Sequence, residues 1–340
     1  MRIGTVCYAT RQGLGWLAKW FYDAGVITDV MVFRHPHGNR PSHMEWYPEG
    51  TIELTKRPFI GKQIERWLDD LQVVLFFETP FDWQFAKRCH ERGVKTAIIP
   101  MYEWFLQSPP HRFDKFINPS LLDQDYFTQG EFIPIPTPQR LVQEKRTRAI
   151  KFLHSGGNLG CRGHKGTLEL VRAMKYVKSN LSLTIRSQDP RGLQNLICQV
   201  PEIKFDQRVV FDTNEYPWED LYKGFDVLVA PEKFNGLSLP LQEAYAAGLA
   251  VITTDRYPTN TWLPKQLLIP VATYHRAQTM NGHLEFDEAV VNPVAIAETL
   301  DNWYGKDISH FSEAGRLYAE TNSWENLKPR YLAALESCLK

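Results

Sequence analysis

Cysteine is scarce and scattered in this chain. Its five residues, Cys7, Cys89, Cys161, Cys198 and Cys338, form no C-x-x-C pair and have no histidines at metal-ligand spacing. That excludes a disulfide framework and a zinc ribbon, and the expectation is reduced thiols in a cytoplasm. Long hydrophobic runs are also missing: no apolar stretch approaches the roughly 18 residues a membrane-crossing helix needs. Met1 to Val6 goes directly into a strand-like run, so no signal peptide is expected. Neither sign of charge is in excess, with 39 Lys and Arg against 39 Asp and Glu. A partner that is a polyanion along its whole length is therefore disfavoured. Repeats and low-complexity segments are absent too. What is present is an ordinary soluble composition, 43% hydrophobic and 23% charged. The 340 residues suffice for two domains.

The order of segments is that of two consecutive α/β domains. Ile3 to Ala9 reads as a buried strand, Thr10 to Gly15 as a glycine loop, and Trp16 to Ala24 as a helix. A strand over Thr28 to Phe33 precedes a long loop from Arg34 to Gly50. A helix over Gly61 to Asp70 leads into the continuous apolar strand Val73 to Phe77, then a helix over Trp83 to Arg92 and a strand over Thr96 to Ile99. Three prolines in Phe132 to Pro138 forbid a helix or central strand and mark a linker. The pattern then restarts. Strands are expected over Ile150 to Leu153, Leu181 to Ile185, Val209 to Phe211, Val227 to Ala230 and Ala250 to Thr253. A glycine-rich loop is expected over His154 to Gly166, with helices over Thr167 to Val177 and Leu239 to Ala247. The expected division is residues 1–135, a linker over 136–149, a second domain over 150–320, and a last helix over 321–340. Ligand-facing loops should follow the carboxyl ends of the strands, beside a cleft.

Pro231 to Gly248 is the most informative segment. A buried strand ends at Ala230, Asn235-Gly236 turns the chain, and a helix begins near Ser238, whose hydroxyl suits an N-cap, with Pro240 tolerated in the first turn. A helix start offers N–H groups and the positive end of its dipole to a diphosphate. Glu243, on the helix behind the loop, suits a ribose diol. Here the chain resembles the family 4 retaining glycosyltransferases of GT-B fold, matching their signature at Gly236, Leu239, Pro240, Glu243, Ala244, Ala247 and Gly248. The resemblance implies two Rossmann-like doubly wound domains facing across a cleft. It also implies that Glu243 holds the donor ribose and that the amides of Leu237, Ser238 and Leu239 hold the phosphates. The family's first glutamate, which contacts the donor sugar, falls at Asn235, an uncharged hydrogen-bonding substitute.

A second matching stretch runs from His154 through Gly157 to Lys165-Gly166. In the family this loop supplies an arginine and then Lys-Gly, two cations that neutralise the leaving diphosphate. Lys165 matches. The usual arginine position is Asn158, and Arg162 is the alternative source of the second charge. The segment Thr321 to Tyr331 resembles the family's final Ser-Trp-Glu helix, with Trp324, Leu327, Tyr331 and Leu335 at helical spacing.

The first half matches by architecture alone. Gly13 and Gly15 approach the donor or make a tight turn. Glu78 and Asp82 follow one buried strand and Glu103 another, and Glu103 is the preferred acid for the acceptor hydroxyl. His35, His37, His43 and His111 are placed in solvated or substrate-facing loops. Asp123-Gln124-Asp125 resembles a metal-holding D-x-D but lacks its context, so it reads as a helix start. The expected metal and cofactor set is therefore none beyond the nucleotide-sugar co-substrate. The acceptor is a saccharide or small molecule, or a hydroxymethylated base in viral DNA gripped by Arg11, Arg34, Arg40, Arg112 and Lys115. The competing reading, raised by Asn235 and the missing loop arginine, is a non-catalytic nucleotide-sugar or glycan-binding protein.

Overall fold

The structure, a computed structural model, describes residues 1–35, 41–106, 108–138, 141, 143–157, 163–278 and 285–340. Two compact units emerge, one holding Met1–Pro136 and Trp324–Lys340, the other Thr137–Gln278 and Glu285–Ser323.

In the first unit the elements run β1 (Ile3–Cys7), α1 (Gly13–Asp23), β2 (Asp29–Phe33), β3 (Ile52–Leu54), α2 (Lys62–Asp69), β4 (Val73–Glu78), α3 (Trp83–Glu91), β5 (Lys95–Pro100), β6 (Lys115–Asn118), α4 (Leu121–Tyr126) and β7 (Glu131–Phe132). The strands form one parallel sheet in the order β3-β2-β1-β4-β5-β6-β7. Strands β1 and β5 are apolar and buried nearly throughout, as a sheet covered on both faces requires. Three strands, β3, β6 and β7, were not expected. The last of them takes up the start of the proline segment, and Ile133 still donates its N–H to the Asn118 carbonyl.

The second unit runs β8 (Lys151–Gly157), α5 (Thr167–Ala173), β9 (Ser182–Ser187), α6 (Pro190–Gln199), β10 (Val209–Asp212), β11 (Val227–Ala230), α7 (Leu239–Ala246), β12 (Ala250–Thr254), β13 (Leu268–Ile269), β14 (Thr273–Gln278), β15 (Glu285–Val290), α8 (Pro293–Trp303) and α9 (Ser309–Thr321). Its parallel sheet has the order β10-β9-β8-β11-β12-β13, the same wiring as the first six strands of the other unit. In each sheet the order reverses beside the first strand, between β1 and β4 and between β8 and β11. Loops leaving the carboxyl ends there are the ones open to a ligand. Strands β14 and β15 stand outside the sheet as an antiparallel hairpin.

Two expected loops are regular structure instead. His154 to Gly157 continue β8, because they pair with β9 from Ile185 to Ser187 and His154 is wholly buried. Gly13 and Gly15 lie in the first turn of α1. A Cβ on Gly15 would sit 2.1 Å from the Thr10 carbonyl oxygen, so the glycine answers a close backbone approach. Residues 143–149 also depart from a loose linker. Arg146 is 4% exposed and donates to the carbonyls of Tyr222, Phe225 and Ala247.

Helix α10 (Trp324–Glu336) belongs to the first unit. Trp324 and Tyr331 meet Phe21 of α1 edge-on, at 5.0 and 4.8 Å between ring centroids. Pairs of this kind add ~0.5–1.5 kcal/mol each beyond the area they bury. The Tyr331 hydroxyl donates to the Ile133 carbonyl, tying the helix to the proline segment.

Candidate functional site

At the β8–β11 reversal of the second unit, three loops meet on one buried carboxylate. Glu232 follows β11 and is 1% exposed. Its Oε1 accepts from Lys165 Nζ at 2.6 Å, and its Oε2 accepts from Arg256 at 2.9 Å and from the Ser238 hydroxyl at 2.8 Å. Lys165 arrives from the turn between β8 and α5, and Arg256 from the turn after β12. Burial alone would raise the Glu232 pKa. The two cations outweigh it and hold the carboxyl at about 2.

Lysine 165 can reach this far in because Gly166 follows it. Gly166 takes a left-handed φ of 66°, and a Cβ there would sit 2.0 Å from the Pro231 carbonyl oxygen. The β8 and β11 loops therefore lie backbone on backbone. His164 accepts the Lys233 N–H through its carbonyl, and Lys233 Nζ pairs with Glu169 at 2.7 Å. Beneath them His154 donates from Nδ1 to the Val229 carbonyl and accepts at Nε2 from Thr167. Burial pushes that imidazole down to about 4, so it is a neutral floor beneath the two loops.

Ser238 opens α7 in a left-handed conformation, φ 46°, but its hydroxyl does not cap the helix, because Glu232 takes it. Asn235 braces the turn before the helix: its Oδ1 accepts the Ser238 N–H at 2.9 Å, while its Nδ2 donates to Glu232 at 3.3 Å. Of the three amides expected to hold phosphates, that of Ser238 is thereby spent. Among the described residues no acceptor takes the Leu237 or Leu239 amide. Gly236 turns the chain between Asn235 and Leu237, and Gly157 ends β8 with φ 60°.

Glu243 lies one turn into α7, is 8% exposed, and accepts from the Tyr222 hydroxyl at 2.7 Å and from the Trp218 indole. Burial raises its pKa to about 7 against the opposing pull of those two donors. Lys165 and Glu243 are thus brought to the two ends of one short segment, linked through Glu232, Ser238 and the first turns of α7. Arg162 and Asn158 lie outside the described residues, as do His37, Arg40 and Cys161.

Two participants escaped the sequence reading, Glu232 and Arg256. Arg256 is 2% exposed and also donates to the carbonyls of Glu232 and Asn235, which fixes the loop from the far side. A charged residue directly after a fully apolar strand was the available signal for Glu232. Nothing local marks Arg256.

In the first unit Glu78 ends β4 with a left-handed φ of 59°, and Glu103 sits in a single turn after β5. Asp123, expected only as a helix start, is 1% exposed. It accepts the Tyr102 N–H and exchanges hydrogen bonds with Ser120, the N-cap of α4. Burial first, then the charge of Glu103, raises both Glu78 and Asp123 to about 7. Asp82 departs from a ligand-facing role: it caps α3 through Gln84 N–H and takes the Phe59 N–H with its other oxygen. His111 is buried on Thr96 rather than solvated.

Comparison with known proteins comes to the same place. Residues 152–271 match the family model described as glycosyl transferases group 1, a span that contains every member of the Lys165–Glu232–Glu243 site. No curated protein matches the chain in sequence. Among solved structures, HepE of Anabaena, crystallised with UDP and glucose, superimposes with a TM-score of 0.70 at 11% identity, covering 99% of this chain and 100% of its own. A glycosyltransferase of Rickettsia africae ESF-5 gives 0.68 at 13% identity, covering 100% and 98%. A sucrose-phosphate synthase of Thermosynechococcus elongatus gives 0.66 at 15%, covering 100% and 99%. Residues 152–271 are therefore similar to a group 1 glycosyltransferase domain, in a chain of GT-B fold.

Proposed function

We propose that the chain transfers a sugar from a nucleotide-diphosphate donor, a UDP-sugar by preference, to an acceptor hydroxyl of a saccharide or small molecule, with retention at the anomeric carbon. The observation that carries this is the buried Glu232 holding Lys165 2.6 Å away beside the opening of α7. An ammonium and helix-start amides set together in a dry site suit a departing diphosphate, whose charge grows as the glycosidic bond breaks. Lys165 exchanges its carboxylate for phosphate oxygens, while Arg256 keeps Glu232 compensated. Glu243, ionising near pH 7, accepts from the ribose hydroxyls.

The test is nucleotide release from a panel of UDP-, GDP- and ADP-sugars, read with and without simple sugar acceptors, alongside calorimetric titration with UDP. Release from a UDP-sugar by the wild type, largely lost in Lys165→Ala, is the expected result. Binding of UDP with no release under any condition favours a non-catalytic binding protein. Absence of both binding and release overturns the proposal.

A further inference from the structure

The β14–β15 hairpin has no counterpart among the strands of the first unit's sheet, and its inner side rests on the donor loops. Phe286 of β15 stacks on Phe234 with ring centroids 3.7 Å apart and planes 27° from parallel. Ala289, opposite Tyr274 in the hairpin, donates its N–H to the Lys233 carbonyl at 2.9 Å and is itself wholly buried. From the other strand, the Tyr274 hydroxyl donates to the Asp255 carbonyl at 2.9 Å, next to Arg256. One hairpin therefore touches both arms that close on Glu232. His275 with Glu288 and Arg276 with Asp287 form cross-strand pairs elsewhere along the hairpin.

The loop from Glu232 to Gly236 is pinned through its polar groups by Arg256, Lys165 and Ser238, so its apolar support is a separate matter. Gly236 and Asn235 bring no apolar side chain, and Phe234 is the large hydrophobic group in the stretch, 9% exposed because Phe286 covers it. We infer that the β14–β15 hairpin is a positioning element of the donor site, with Phe286 the residue that sets where the sugar-facing loop 232–236 lies. The inference rests on the function proposed above. Its chemical content is selective: Glu243 and α7 hold the nucleoside side without the hairpin, whereas the loop it braces holds the sugar side.

Binding of UDP, UDP-glucose, UDP-galactose and UDP-N-acetylglucosamine is measured by calorimetry for the wild type, Phe286→Ala, Phe286→Leu and Tyr274→Phe, with hydrogen exchange of the 233–236 amides in the ligand-free proteins. Phe286→Ala should weaken the best UDP-sugar about five- to tenfold, the scale of one lost aromatic pair. It should leave UDP within about twofold and speed exchange at 233–236. Phe286→Leu should recover most of the loss, and Tyr274→Phe, which removes a single hydroxyl, should follow the same direction more weakly and secures the test if Phe286→Ala does not fold. Equal weakening of UDP and UDP-sugar, or no change in either, overturns the hairpin's role and leaves the proposed function standing. A wild type that binds UDP but no UDP-sugar more tightly also overturns it. A wild type that binds none of the four overturns both.

Discussion

Two glutamates occupy matching places in the two sheets and behave in opposite ways. Val73 pairs with the first strand of its unit and Val227 with the first strand of the other. Glu78 and Glu232 each come five residues later, where the sheet order reverses. Glu232 is buried and Glu78 half-buried, and loss of water by itself raises a carboxyl pKa. Glu232 is nevertheless held at about 2 by Lys165 and Arg256, whereas Glu78, with Glu103 as its charged neighbour, is raised to about 7. One sheet end is built to keep a permanent anion among cations that another anion can share. Its counterpart is built to hold a proton that can leave near neutrality. Same wiring and same residue type thus give an anion-binding end and a proton-holding end, and the decision lies in partners contributed by distant turns.

The comparison breaks most severely at its charged end. Glu232→Gln leaves the buried Arg256 and the half-buried Lys165 without their carboxylate and should destabilise the chain by about 3–5 kcal/mol in urea unfolding, while Glu78→Gln at the matching position should lose far less. Next comes turnover. Lys165→Ala should lower kcat by about 10²–10³, the scale of one lost transition-state charge contact, with a smaller loss of stability because Arg256 still compensates Glu232. An equal loss of both would remove Lys165 from the chemistry. Gly166→Ala sharpens the geometry: a left-handed φ and a Cβ against the Pro231 carbonyl should together cost about 2–4 kcal/mol, read as a lowered Tm with a raised donor KM.

The smallest effect is the pH profile of stability, which should have two limbs. A carboxyl depressed in the folded state contributes stability that is full above its unfolded value. Glu232 therefore loses its contribution as pH falls from 4.5 towards 2. Carboxyls raised in the folded state act the other way, so Glu78 and Asp123 withdraw stability as pH rises from about 4 to about 7. Asp123→Asn keeps an acceptor for the Tyr102 N–H without the charge. It should flatten the upper limb and gain about 1–3 kcal/mol at pH 8. A variant that parallels the wild type across that range would contradict the assignment.

How much of this was readable beforehand follows the range of the forces involved. The apolar runs of β4, β5, β11 and β12 announced themselves because both faces of a parallel strand are buried. The turn and helix start over Pro231 to Gly248 were legible in neighbouring residues, and Lys165-Gly166 through its resemblance to a family motif. The β6 and β7 strands were hidden by their shortness and by pairing decided at a sheet edge. The hairpin was hidden because charged and polar residues fall on both faces of its strands, leaving no apolar period. Glu232 was passed over because its burial is set by Lys165, 67 residues away, and Arg256, 24 residues away. Ser238 misled for the same reason: a local rule gave its hydroxyl to the helix, and a more distant carboxylate took it.

The packing of Trp324 and Tyr331 on Phe21 has a consequence for the order of assembly. A ribosome releases the residues of β1 to β7 first, yet their unit lacks part of its aromatic core until position 331 has been made. The second unit, complete by Ser323, has all its own strands earlier. The half made earlier of the two must therefore wait while the other can finish, and a fragment ending near Pro136 would leave Phe21 facing water where two rings belong.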